Sequence, residues 1–516
     1  MHRTAYRYAQ ILLVIVAALA AFRAYYGPAL SEDAYIMLRY ADNLAHGRGL
    51  VWNLGGPPVE GATSFLFTAI EAAAISIGLP PTFAAQAFGF LFVLAGGIVL
   101  WYTLTWLGAR ALLSVALALA YVGGPAMALA VGGWDTPLFM LFTTSLVAAL
   151  LLYSKERLTD RGITRLVPVL CLAATLTRPE GLLWSALAFA WLCSRKRALI
   201  PLALRSFAVS FVLPMLVFAL WRHHYFGDWL PTAFYVKHDA PFHQDAVNLA
   251  TDLLIRQWLV VTLFLVVALS RFSIAQTSLL IFPLAHIASF VLINNEQNIL
   301  SRFQFPAWPA LALLAMYGIF QLTGSAKGAR RLAANLLAGI ALIASIVSPS
   351  LRQPSAALAD TVVLGQALRP MADRGLWLCA SEAGALPFYS GWLTIDPRGL
   401  NDPVIAHHGL DFAYLDRFEP AILQFHTIRS GDKLATGWSP WDAMIRKLVE
   451  YCAWRGYVLT AVCVRGGVAD DLDFYFVLGN RPYTAELSHL LTSAKLDYLP
   501  PDRWPAYAGP RLVGHP

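Results

Sequence analysis

TFAAQAFGFLFVLAGGIVLWYTLTWL, residues 82–107, contains no charged side chain. A helix needs about 20 apolar residues to cross a bilayer, so this stretch reads as a membrane span. On either side of it, comparable runs cover roughly 8–27, 61–79, 111–131, 134–153, 200–221, 274–293, 303–322 and 332–350. Shorter runs lie at 166–177, 180–193 and 257–270. The chain as a whole is 58% hydrophobic and 13% charged, against about a quarter charged in soluble domains. That excludes one large cytosolic enzyme and intrinsic disorder. The expected fold is a polytopic α-helical membrane protein with about 10–12 membrane segments. Ile11–Ala21 is followed by Phe22 and Arg23 rather than by a small-residue cleavage site, so it reads as a retained first helix.

The formal charge of +7 does not point to nucleic acid, because the cations sit in short segments between apolar runs. These are the N-terminus (Arg3, Arg7), 154–165, 194–205 and 324–331, which together hold 13 Lys/Arg and two acids. Cytoplasmic loops retain such cations. The N-terminus is therefore expected inside, and 28–60, 222–256 and everything after about residue 351 outside. One conflict of parity follows. Four apolar runs separate the outer loop 28–60 from the inner loop 154–165, where an odd number of crossings is needed. One run must fail to span; Glu71, inside run 61–79, marks that run as the exception or else lines a cavity. The pair 166–177 and 180–193 reads as a hairpin broken at Thr177-Arg178-Pro179-Glu180-Gly181.

Two regions are expected: a transmembrane module over 1–350, with its first outer loop at 28–60, and an extracytoplasmic α/β domain over 351–516. In the latter, Leu376–Ala380, Leu393–Ile395, Tyr457–Val464 and Phe474–Leu478 read as strands and Trp441–Cys452 as an amphipathic helix. Five cysteines form no CxxC or Cys/His cluster with zinc spacing.

The outer loop opens with Ser31-Glu32-Asp33-Ala34-Tyr35-Ile36-Met37-Leu38-Arg39-Tyr40. Ser31 suits an N-cap, and acids in a first helical turn meet the helix dipole favourably. The same adjacent carboxylates could serve as a general base or hold a divalent cation such as Mg, Mn or Ca. Helical spacing puts Glu32, Tyr35 and Arg39 on one face and Asp33, Ile36 and Tyr40 on the next, which leaves open which acid meets a cavity. Arg178 and Glu180 lie between apolar half-helices, where ionisable groups are costly and are paired or functional. His223, His224 and Lys237 fall in an outer loop as plain surface or ligand groups. Arg302 follows an Asn-rich turn at the outer mouth of a helix.

Glu32-Asp33-Ala34-Tyr35-Ile36 with Arg39-Tyr40, Asn43-Leu44, Gly47, Gly49, Asn53 and Val59-Glu60-Gly61 resembles the first-loop signature of the GT-C glycosyltransferases. The branch it most resembles is that of the terminal β-(1→2) arabinofuranosyltransferases. Gly133-Trp134-Asp135-Thr136-Pro137-Leu138-Phe139, Thr177–Gly181, Tyr225–Thr232 with Tyr235 and Lys237, Arg302-Phe303 with Pro306 and Pro309, and Glu382–Gly391 extend the likeness over most of the chain. The sequence departs from the pattern at Glu32 and Asp135, where the family usually has Asp and Glu, and at Ala233 after Thr232.

The resemblance implies an enzyme of a bacterial inner membrane that takes a sugar from a polyprenyl-phosphate donor. The sugar, a pentofuranose in that branch, passes with inversion to a hydroxyl of a cell-envelope glycan or glycolipid, amid membrane lipid and without nucleic acid. It implies Asp33 or Glu32 as base, and Arg39, Glu60, Arg178, Glu180, His223, His224, Lys237 and Arg302 as substrate-binding groups. No Walker loop or dinucleotide fingerprint occurs in a supporting context, which disfavours a nucleotide-sugar donor. The rival reading is a transporter or flippase, which would also place charges in broken helices but calls for two related halves.

Overall fold

The computed structural model describes residues 2–27, 30–237, 272–292, 298–325, 359–430, 433–434 and 439–504, with single positions 247, 248, 251 and 339. The runs 257–270 and 332–350, the cations Lys327, Arg330 and Arg331, and most of the Asn-rich turn before Arg302 lie outside the described residues.

The helical region runs α1 (His2–Tyr25), α2 (Glu32–Ala45), α3 (Phe65–Ser76), α4 (Pro81–Trp106), α5 (Ala111–Gly123), α6 (Pro125–Val131), α7 (Thr136–Ser154), α8 (Asp160–Thr177), α9 (Gly181–Arg195), α10 (Leu199–Phe207), α11 (Leu213–Phe226) and α12 (Thr232–Lys237). The segments Ile274–Leu292 and Ala307–Ser325 follow. Proline stands in the first turn of α4, α6 and α7, where a helix has no use for its missing N–H. Between α10 and α11 a π turn, Ala208–Val212, keeps the rod continuous up to Pro214.

Among the described residues six helices are long and apolar enough to cross a membrane: Thr4–Tyr25, Pro81–Trp106, Ala111–Val131, Thr136–Ser154, Leu199–Phe226 and Ile274–Leu292. The others expected are the α8–α9 hairpin and Ala307–Ser325, which are shorter or more charged, and the two runs outside the described residues. Helix α3 has 12 residues, about 18 Å of rise against a core of about 30 Å. By length α3, in run 61–79, is the one of the four runs between the loops 28–60 and 154–165 that falls short of a span, which leaves the odd count the cationic loops call for. Single cysteines placed at Thr63 and at the exposed Ile77 should both react with a membrane-impermeant maleimide from the same side of intact cells; labelling of Ile77→Cys only after lysis would show that α3 crosses.

Helix ends gather at two levels. At one, Gln86 donates to Gly27 O and Val131 O, both at 3.1 Å, and Ser31 N donates to Gly132 O at 2.9 Å. At the other, Tyr153 and Lys196 meet Asp160, at 2.7 and 3.2 Å, and Trp191 donates to Ala275 O at 3.3 Å. The cations at 155–165 and 195–197 belong to the second level, and the outer loop to the first.

The sheet-bearing region holds β1 (Trp377–Ala380), β2 (Leu393–Ile395), β3 (Ile422–Ser430), β4 (Lys433–Leu434), β5 (Tyr457–Val464) and β6 (Asp471–Leu478), ordered β2-β1-β3-β6-β5 with β4 on β3. β1 runs parallel to β2 and β3, and β6 antiparallel to β3 and β5. Helix Ser439–Arg455 packs one face through Ile445, Leu448 and Cys452. Helices Ala359–Leu368 and Thr484–Ser493 cover the other through Leu364, Leu368, Leu487 and Leu491. This is a three-layer α/β arrangement, as expected, and all five cysteines are free thiols.

Candidate active site

Helix α2 separates its two acids by function. The face bearing Glu32, Tyr35 and Arg39 docks on the sheet-bearing region. Glu32 Oε1 accepts from the amides of Gly384 and, at 3.0 Å, Ala385. Tyr35 meets the Tyr389 hydroxyl at 3.4 Å. Arg39 donates to the carbonyls of Trp52 (2.9 Å), Pro387 and Trp392 (both 2.8 Å) and to Asn53 Oδ1 (3.3 Å), with its guanidinium 4.3 Å from the centre of the Trp52 ring. A Cβ on Gly384 would clash with Glu32 O, so only glycine lets the 382–385 turn approach α2 this closely. Losing Arg39 would orphan the carbonyl of Trp52 at about 1–3 kcal/mol and take one of the donors from Pro387 O and Trp392 O, which keep Gly391 N and Thr394 Oγ1; Arg39→Met should lower the thermal midpoint of the purified protein, and an unchanged midpoint would contradict this docking role.

The next face presents Asp33 to a cavity of about 620 Å³ between the helices and the sheet-bearing region. Asp33 pairs with Arg302. Burial raises the Asp33 carboxyl, but Arg302 and then Lys237 outweigh it and hold the group below its ordinary value. Glu32 goes the other way: burial and then the nearby Glu382 charge push it well above the carboxylate range. The two neighbouring carboxyls are thus shifted in opposite directions, and Asp33 is the one held ionised.

Two cations of the cavity, Arg302 and Arg178, are aimed by their backbone. Arg302 follows Leu300 and Ser301, both in the left-handed region at φ 57° and 53°, a conformation that costs a non-glycine residue about 1–2 kcal/mol. The turn is held by Asn298, which accepts from Phe303 N at 3.0 Å and donates to Gln304 at 2.7 Å. Arg178 ends α8 in extended conformation, as a residue before proline prefers. It spans Asp135 (3.1 Å) and Glu180 (2.9 Å). Arg302, Arg178 and Lys237 converge on one ring, Phe303, at 5.0, 5.4 and 5.6 Å from its centre. Three formal cations thus face three formal acids, Asp33, Asp135 and Glu180.

Glu60 also lines the cavity and takes Arg222 Nε at 2.5 Å. Burial pushes its carboxyl up to about 7 despite the arginine. Of the residues expected to bind substrate, Glu60, Arg178, Glu180, Lys237 and Arg302 come together here with Asp33 and Glu32. Arg39, His223 and His224 do not. Arg39 is spent on docking; His223 stacks on Trp229, 3.9 Å between ring centres; and His224 is exposed. Glu71 is fully buried but is not part of the cavity wall.

Reasoning from sequence missed the support behind Glu32. Glu382 is held by Arg465 through two contacts, at 3.0 and 3.1 Å. Gln424 accepts from Glu382 N at 3.1 Å and donates to Asp473 at 2.7 Å. Burial works against the Glu382 charge, but Arg465 more than offsets it and keeps the carboxyl below its usual range. Of the pair expected to hold a divalent cation, Glu32 Oε1 and Asp33 Oδ2 are each taken by a different partner, while Glu32 Oε2 is buried without a hydrogen bond. Among the described residues no group of three or more His, Cys, Asp or Glu could hold a metal ion.

A helical module with this sheet-bearing outer region is the GT-C architecture. ArnT from Cupriavidus metallidurans, solved with undecaprenyl phosphate, is similar with a TM-score of 0.56 at 11% identity, covering 90% of this chain and 97% of that one. The oligosaccharyltransferase AglB from Archaeoglobus fulgidus, in complex with an inhibitory peptide and a dolichol-phosphate, gives 0.52 at 12%, covering 94% and 77%. The arabinofuranosyltransferase AftD from Mycobacteria gives 0.50 at 15%, covering 91% of this chain but 42% of that one. At such identities the likeness shows the fold alone. A domain of unknown function, DUF8728, matches residues 352–469. No curated protein matches by sequence.

Proposed function

We propose that this protein transfers a sugar from a polyprenyl-phosphate donor to a hydroxyl of a cell-envelope glycan or glycolipid, with inversion. The observation that carries the reading is the convergence of ionised Asp33 with Arg302 and Lys237 in one cavity. The cavity wall also holds apolar side chains such as Leu182, Met215 and Leu292, suited to the first units of a prenyl chain. The shared fold of proteins solved with undecaprenyl phosphate and dolichol-phosphate supports the donor class. A pentofuranose is the sugar favoured by the likeness of the outer-loop motifs. The cationic helix ends lie away from the cavity, which supports a site on the outer face of a bacterial inner membrane, the N-terminus cytoplasmic and the sheet-bearing region extracytoplasmic.

In this mechanism the acceptor oxygen attacks the anomeric carbon while its proton passes to Asp33. The bond from that carbon to the phosphate oxygen breaks, and the electron pair leaves with the lipid phosphate, whose charge Arg302 and Lys237 stabilise. A bound phosphodiester leaves the cluster around Phe303 one negative charge in excess and competes for Arg302. Both effects raise the proton affinity of Asp33 when the proton has to be taken.

The purified protein, given undecaprenyl-phosphoryl pentoses and envelope-glycan acceptors, should yield a glycosylated acceptor of inverted anomeric configuration. Donor that stays intact across a panel of pentoses and hexoses, or a product of retained configuration, would overturn the reading.

A further inference from the structure

Arg222 was not among the residues singled out in the sequence, yet it lies in the cavity wall beside Glu60. Their contact uses Nε of the arginine and Oε2 of the glutamate. That leaves an acceptor oxygen, Glu60 Oε1, and the two terminal guanidinium nitrogens with no hydrogen bond to any described residue; Nη2 is buried without a partner. The side chains are 11% and 15% exposed, so their open edges face the cavity rather than bulk solvent.

The backbone beneath the pair is fixed. Thr232 Oγ1 donates to Glu60 O at 2.9 Å and also reaches Leu400 O. Gly61 N donates to the Tyr40 hydroxyl at 3.2 Å, which in turn donates to Asn401 Oδ1 at 3.1 Å. A Cβ on Gly61 would lie 2.0 Å from that same oxygen. Three outer segments thus lock Glu60 in place. Aromatic surface adjoins it: Phe218 precedes Arg222 by one helical turn on α11, and its ring centre is 4.9 Å from that of Phe65. Both rings line the cavity.

A carboxylate and a guanidinium side by side, each with one edge open, offer an acceptor and a donor to two neighbouring hydroxyl groups, and an aromatic wall suits the C–H face of a sugar ring. We infer that Glu60 and Arg222 recognise the sugar ring of the donor, and that Arg222 is a specificity-determining residue of the site. This rests on the donor class proposed above. A carboxylate–arginine pair at this position recognises a neutral, hydroxyl-bearing ring, whereas the cations around Phe303 recognise the phosphate. The two recognitions are separable, because the pair shares no side-chain contact with Asp33, Arg302 or Lys237 among those described.

The test measures binding to the full-length protein of two lipids of equal charge: the undecaprenyl-phosphoryl sugar that the wild type binds most tightly, and undecaprenyl methyl phosphate, which has no sugar. Arg222→Met and Glu60→Gln should weaken the sugar-bearing lipid about ten- to a hundredfold and leave the methyl phosphodiester within about twofold. Arg222→Lys, which keeps the charge but loses the fork, should fall between and also serves if Arg222→Met does not fold. Equal loss for both lipids, or no loss for either, would overturn the inference while leaving the donor class intact. Failure of the wild type to bind either lipid would remove the donor class, and the inference with it.

Discussion

Asp33→Asn is expected to lower kcat about 10²- to 10⁴-fold, the usual contribution of a positioned general base. The amide is nearly isosteric, so the fold should be kept, but it cannot take the acceptor's proton. It also frees Arg302 from its ion pair. Donor affinity should therefore be held or improved, and the loss should appear in kcat rather than KM. Glu32→Gln is the contrasting variant. Its side-chain carbonyl can still accept from Gly384 and Ala385, so activity should fall far less than in Asp33→Asn. Steady-state transfer assays on the two purified variants decide this; equal losses, or the larger one at Glu32, would reverse the assignment of roles.

The second large effect is expected at Arg465, which is 9% exposed and lies among Glu382 and Asp473. Arg465→Met leaves carboxylates buried without a counter-charge, a change that costs about 3–5 kcal/mol. Replacing Glu382 by Leu in the same chain removes one of the stranded charges and should restore much of the loss. The sign of the pH effect follows from Asp473, whose carboxyl burial lifts to about 7 even with Arg465 present. An acid whose folded value is raised favours the folded state below its unfolded value, and that advantage is lost as pH rises through the folded one. Arg465→Met should accordingly unfold at a higher temperature at pH 5 than at pH 8, with a wider gap than the wild type. A midpoint unchanged at pH 8 would show that the cluster does not hold the turn at 382–385 against α2.

The helical module was legible because apolar runs report burial in lipid directly. So was the existence of a polar outer region, through its short strands. β3 was not, although it is central: Gln424 and Thr427 interrupt its apolar pattern, and both are fully buried. Gln424 is there for its hydrogen bonds to Glu382 N and Asp473, which no periodicity reveals. The same limit applies to α2. Helical spacing placed Glu32 with Arg39 and Asp33 with Ile36, but only the docking of 384–392 decides which face is structural. Phe303 was visible merely as the neighbour of Arg302; that three cations surround one ring depends on segments more than a hundred residues apart meeting. Arg222 lay next to two histidines that look more like chemistry in a sequence, yet the helix turns them away from the cavity.

The most direct test of the central claim, that the donor phosphate draws Arg302 from Asp33 and so arms the base, is the pH dependence of transfer by the wild type. The acid limb of kcat/KM reports the free enzyme and that of kcat the loaded one. Besides a limb near 7 from the Glu60 carboxyl, which Asp33→Asn shares and Glu60→Gln removes, a limb of kcat/KM is expected below the ordinary aspartate value of about 3.9 and a limb of kcat at clearly higher pH, and Glu60→Gln combined with Asp33→Asn should show neither. Coincident Asp33 limbs, or limbs that persist in that double variant, would contradict it.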